Sequence, residues 1–143
     1  MSSTVKEELV FVISGYTSIP CREYYNDEEA IALVGRVPFT NYFVGIGDEE
    51  VEFPESRPRG YYIKKSTINL LMFAKTIDQS DLQLNLNSIY DTIYTAKSRG
   101  IWPSMQNLLS AKVLGAEAQE PINDKVFFVR IPVEITELFS SNY

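Results

Sequence analysis

The sequence predicts an α+β domain: a mostly antiparallel sheet of four to five strands, packed against one long helix and preceded by short N-terminal helices. Three observations carry this. Phe127, Val129, Ile131, Val133 and Ile135 alternate with Phe128, Arg130, Pro132 and Glu134, the period of a strand. Leu82, Leu86, Ile89 and Ile93 recur at helical spacing, with Gln83, Asn87, Asp91 and Thr95 on another face. Residues 39–75 form two β-rich arms around a Pro/Gly turn, which reads as an antiparallel pair.

The N-terminal elements follow from their caps. Thr4 and Glu7 fit a capping box. Val5, Leu9, Val12, Ile13 and Tyr16 then share one helical face, with Gly15 helping to stop the helix. The β-branched run 9–13 makes a strand the rival reading. Residues 17–22 read as a loop holding Pro20 and an incidental Cys21. Asn26 can cap a short helix ending at Val34. Asp27, Glu28 and Glu29 sit at its positive end, and Gly35 suits the C′ position.

The first arm of the central pair runs apolar to Gly45, Ile46 and Gly47. No third glycine and no helix follow, so a bulge or bend fits better than a phosphate loop. Asp48, Glu49, Glu50, Glu52 and Glu55 form an acidic tip, solvated or facing a partner, without the spacing of a calcium-binding EF-hand. Arg57, Arg59, Lys64 and Lys65 open the returning arm. There Ile68, Leu70, Met72 and Ala74 share one face while Leu71 and Phe73 share the other, as in a central strand covered on both sides.

Ser80 and Gln83 fit a second capping box, for a helix over 81–98 that Lys97, Arg99 and Gly100 would close. Trp102, beside Pro103, is expected to plug the core or a subunit contact. Residues 108–116 read as a strand with Leu109, Ala111 and Val113 on one face, and 117–124 as a turn. Pro132 lacks an N–H, which predicts an edge position or a bulge for the last strand.

Composition narrows the function. A chain of 143 residues makes one domain by length, and folding at that size buries about 70% of the unfolded surface. A net charge of −6 disfavours general affinity for DNA or anionic membranes. The absence of histidine removes Ser-His-Asp and Cys-His catalysis. A lone cysteine makes neither an intrachain disulfide nor a cysteine-based zinc site. No apolar run reaches the ~18–20 residues that span a bilayer, and Glu7 and Glu8 precede the short run 10–13 where a signal peptide would be basic. The expectation is a protein made in the cytoplasm, not an enzyme, with no cofactor and no metal.

The order of elements from about residue 39 to 139 resembles the tail terminator proteins of long-tailed bacteriophages, also called minor tail or tail-completion proteins. The strand opening Arg59-Gly-Tyr-Tyr-Ile63, its run to Lys75, the helix over 82–93 and the strand Val126-Phe-Phe-Val-Arg-Ile-Pro-Val-Glu-Ile135 carry the resemblance. It implies a structural virion protein that forms a ring, typically a homohexamer, at the head-proximal end of the tail. Such a ring ends tube growth and joins tail to head. The implied partners are further copies of itself, the tail tube protein and a head-completion or neck protein. DNA would pass through the lumen without specific binding, and no membrane is involved.

A ring requires two different patches on each subunit. The expected pair is Asp48, Glu49, Glu50 and Glu52 on one subunit against Arg57, Arg59, Lys64 and Lys65 on the next. The alternatives are another neck, head-completion or tube-like protein, or a small binding module using Tyr61, Tyr62, Lys64 and Lys65.

Overall fold

A computed structural model describes residues 4–34, 42–54 and 60–140. The helix reading of the N-terminus holds. Helix α1 spans Val5–Tyr16, and the Thr4 hydroxyl oxygen accepts from the Glu7 N–H at 3.1 Å. It buries Val5, Leu9, Val12 and Ile13, each worth about 1.5–3 kcal/mol of apolar transfer. Tyr16 departs from the expected face and stays exposed. Cys21 and Arg22, expected in a loop, belong with Glu23 to strand β1, Cys21–Glu23. Helix α2 spans Asp27–Val34 and is capped by Asn26, whose side chain accepts from the Glu29 N–H at 2.8 Å. Gly35 and the start of the first arm, 35–41, lie outside the described residues.

Strands β2, Tyr42–Glu52, and β3, Tyr61–Lys75, pair antiparallel as predicted. The acidic stretch departs from expectation: Asp48, Glu49, Glu50 and Glu52 belong to β2 rather than to a loop tip. A register shift between Ile46 and Glu49 marks the bend expected at the glycines.

After β3 a 3₁₀ turn, Thr76–Asp81, leads into helix α3, Leu82–Tyr94. Two expectations change here. Asp81, not Ser80, takes the cap position, because the 3₁₀ turn absorbs Ser80, and no side chain caps the helix. The helix stops at Tyr94 rather than 98: Thr95 turns its hydroxyl back onto the Asp91 carbonyl, and Arg99 and Gly100 close a further turn. At 13 residues α3 barely exceeds the 12 of α1, so the helical layer is shared rather than built on one long helix.

Strands β4, Leu108–Val113, β5, Glu120–Pro121, and β6, Val126–Ser140, complete the sheet. It has six strands among the described residues, one more than the expected maximum, in the order β1-β2-β3-β6-β4 with β5 beside β6. All pairs are antiparallel except β1 with β2. A register shift between Leu108 and Ser110 buries Leu108 and leaves Leu109 outward, reversing the expected face at that point.

Strand β6 is interior, not an edge. It pairs with β3 along its whole length and with β4 and β5 on the other side. Pro132 is tolerated because its nitrogen faces the gap between β4 and β5, where the Pro132 carbonyl accepts from Leu114 N–H after β4 has ended.

The main core lies between one sheet face and α1 and α3, and encloses Trp102. A smaller core on the opposite face holds Tyr24, Ala30, Val34, Leu71, Phe73 and Phe128 under α2. Strand β3 is therefore covered on both sides, as its two apolar faces predicted.

Candidate assembly surface

Gly47 sets the geometry. A Cβ there would lie 2.0 Å from Asp27 Oδ1 and 2.9 Å from Leu71 Cδ1, so only glycine lets β2 run this close to the start of α2. The two segments lock reciprocally. Asp27 Oδ1 accepts from Asp48 N–H at 2.8 Å, and Asp48 Oδ1 accepts from Asp27 N–H at 3.0 Å. Asp27 Oδ2 also accepts from Asn69 Nδ2 and from Arg130 Nε, each at 3.0 Å. Arg130 reaches on to Glu120 at 3.2 Å and Glu117 at 3.9 Å. Sequence reasoning gave Asp27 to the helix dipole and missed this hub. Arg130, a charge between the apolar Phe128 and Pro132 on its face of the strand, was its one visible signal.

Past the bulge, β2 carries Glu49, Glu50 and Glu52, all exposed. Strand β1 pairs only with Val44–Ile46 of β2, so the outer edge of residues 49–52 has no strand neighbour among those described. Charge on such an edge discourages unwanted strand addition. The expected interface residues thus divide. Glu49, Glu50 and Glu52 stand free at an edge, whereas Asp48 is engaged at the hub. Lys65 holds Glu134 at 3.6 Å within its own chain, and Lys112 shares that carboxylate at 3.4 Å. Lys64 lies near the buried acids Glu8 and Glu137. Glu55, Arg57 and Arg59 fall outside the described residues.

Those two acids close the end of the main core. Glu8 Oε2 accepts from Ser104 N–H at 2.8 Å. Glu137 is 1% exposed, and its Oε1 has no hydrogen-bond partner among the described residues. Burial pushes the carboxyl pKa of both upward, and the Lys64 ammonium opposes this. Burial pushes the Cys21 thiol up to about 12, which disfavours the reactive thiolate.

Beyond these acids β3 and β6 continue as a two-stranded blade, Tyr61, Tyr62 and Ile63 against Leu138, Phe139 and Ser140, with Phe53 just past the end of β2. Its rings stack in a ladder, Phe53 to Tyr62 at 6.1 Å and Tyr62 to Phe139 at 5.5 Å between centroids. Tyr61 and Tyr62 point to opposite faces, as neighbours in a strand must. The rings and charges of the expected binding module are therefore split: Tyr62 with Lys64, Tyr61 with Lys65. A cleft of about 690 Å³ beside α2 is lined by Glu23, Glu29, Asp48 and Glu49, with Lys6. No group of three or more His, Cys, Asp or Glu among the described residues is arranged to hold a metal ion. No described helix is long and apolar enough to cross a membrane.

A scan against known protein families returns no match, and no similar curated protein is found. The fold itself does have a counterpart among solved structures. One chain superposes with a TM-score of 0.53, over 79% of this chain and 87% of its own, at 14% identity. It comes from the virion of a native gene transfer agent particle. At that identity the likeness to the virion chain shows a shared fold. That likeness takes in most of both chains, so it extends well beyond a single hairpin.

Proposed function

We propose that this chain is a structural virion protein without enzymatic activity. Within the virion it forms a ring at the head-proximal end of a tail, ends growth of the tube and joins the tail to the head. The observation that supports this most is the fold shared with a virion chain over 79% of the present one. The element order that resembles tail terminators points to the same place. The partners are further copies of the chain, the tube protein and a head-completion or neck protein.

The free acids Glu49, Glu50 and Glu52 suit one side of the subunit contact, where charge sets register and orientation more than affinity. A net charge of −6 on every copy favours a lumen that repels DNA phosphates and lets the duplex slide.

Light scattering across protein concentration, with and without tail tubes built from the tube protein of the same phage, tests the reading. A ring, or a monomer that caps tubes and halts their extension, is expected. A monomer indifferent to tubes would refute it.

A further inference from the structure

Glu8 and Glu137 come from opposite walls of the main core. Glu8 belongs to α1. Glu137 belongs to β6, where it pairs with Lys64 of β3 on one side and Leu108 of β4 on the other. Segment 101–107 joins the two walls. Its Ser104 N–H donates to Glu8 Oε2, and its Asn107 carbonyl accepts from Leu138 N–H, each at 2.8 Å. Glu8 is 3% exposed, so both acids are buried.

Their surroundings differ. Glu8 has a fixed backbone donor, which favours its ionised form. Glu137 Oε1 has none among the described residues. The charges are also out of balance. Helix α1 brings Glu8 with Glu7 beside it, β2 brings Glu49, and β3 brings Lys64. Strand β4 brings only the apolar Leu108, since Lys112 lies on the other face with Glu134. One ammonium therefore serves the carboxylates of Glu8, Glu49 and Glu137. A buried carboxyl without a donor, beside two other acids, is favoured as the neutral acid. Burial pushes the Glu137 carboxyl upward, Lys64 opposes this, and Glu8 and Glu49 add to the rise.

We propose that these two acids form a pH-sensitive latch: Glu8 stays ionised and holds Ser104, Glu137 keeps a proton, and loss of that proton loosens α1 and segment 101–107 from the sheet. The latch is independent of the ring proposed above. Ionised Glu137 sets a second buried negative charge against Glu8. Water must reach it, and the sheet side cannot give way, because β3 and β4 are bonded to β6 along their ladders. The cover can. Within it Trp102 is held by packing alone, its Nε1 having no partner among the described residues. Below the folded value Glu137 is neutral and the cover stays docked. As the pH climbs from about 4.5 through that value the cover opens more often, and then the effect levels off.

Two measurements on the full chain test this, from about pH 4 to about pH 8. Carboxyl-carbon NMR follows the titration of Glu137. Amide exchange, corrected for its intrinsic rate, follows Leu9 and Ser104 in the cover and Leu70 in the centre of β3. Glu137 should titrate above 4.5, and exchange at Leu9 and Ser104 should quicken at least ~tenfold across that titration. Both should exchange faster than Leu70 and respond little to mild urea, as a local opening does. Glu137→Gln, always neutral, should remove the pH dependence. Lys64→Met removes the counter-charge and should move the titration to higher pH. Glu8→Gln removes the like charge, keeps an acceptor for Ser104, and should move it lower.

A Glu137 that titrates at or below 4.5 overturns the latch, as does an unchanged pH dependence in Glu137→Gln. Exchange at Leu9 and Ser104 only at the rate of Leu70, with its full urea response, overturns it too, because the cover then moves only with the whole fold. If Glu137→Gln does not fold, the other two variants decide: opposite displacements of the titration support the latch, and their absence refutes it.

Discussion

Replacing Asp27 with alanine should be among the most damaging single changes in this chain. The Asp27 carboxylate is buried and accepts three hydrogen bonds, from Asp48 N–H, Asn69 Nδ2 and Arg130 Nε, the last across an ion pair of 3.0 Å. Truncation leaves the Arg130 charge three-quarters buried, facing only Glu117 and Glu120, which are half-exposed. Breaking one side of a buried pair costs about 3–5 kcal/mol. With a urea dependence of about 2 kcal/mol per molar, the midpoint should fall by about 2 M.

Asp27→Asn should recover little. Its amide accepts at one atom only, and the other would present N–H groups to the donors of Asn69 and Arg130. Adding Arg130→Met to Asp27→Ala should cost less than the sum of the two single changes, because the orphaned charge is removed. Urea unfolding followed by fluorescence of the buried Trp102 measures the parent and these four variants. A loss below ~1 kcal/mol for Asp27→Ala, or strict additivity with Arg130→Met, would refute the hub.

Three further outcomes are expected. Gly47→Ala forces a methyl group to 2.0 Å from Asp27 Oδ1, so α2 must shift; about 1–3 kcal/mol should be lost, and hydrogen exchange should quicken at Tyr24 and Ala30. Glu137 binds its proton more tightly folded than unfolded, since burial raises its carboxyl above the ordinary 4.5. Its contribution therefore worsens as the pH climbs from about 4.5 through the folded value and then levels off. Urea midpoints for Glu137→Gln should show a flatter profile over that range than the parent, and parallel profiles would exclude the effect. Lys65→Ala and Lys112→Ala, each cutting one partly exposed partner of Glu134, should change the stability read from urea unfolding by less than ~1 kcal/mol and lose even that in high salt.

Much of the fold was legible because local patterns happened to agree with tertiary demands. The caps at Thr4 and Asn26, the alternation over 127–135 and the two apolar faces of β3 each describe a backbone state that nearby residues enforce. The failures share a cause. Tyr16 belongs to the α1 stripe by spacing, yet as the last residue of α1 it stays in solvent. Leu109 should face inward by alternation, but a register shift turns Leu108 in instead. The three residues of β1 are too few to show a period and become a strand only because β2 lies alongside. Pro132 suggested an edge, and a break in the neighbouring strand supplied what an edge would have provided.

The candidate surface divides in the same way. The chain's acidity, the lack of any histidine chemistry and the charged segment between two β-rich arms are legible from the residues alone. Those are sums and neighbours along the chain. Folding is what brings Asp27 to Arg130 across 103 positions, sets Lys65 against Glu134, and puts the ring of Phe53 beside that of Tyr62. Such pairings depend on strand register and on where the helices stop. A shift of one residue in strand register would reverse every sheet face involved.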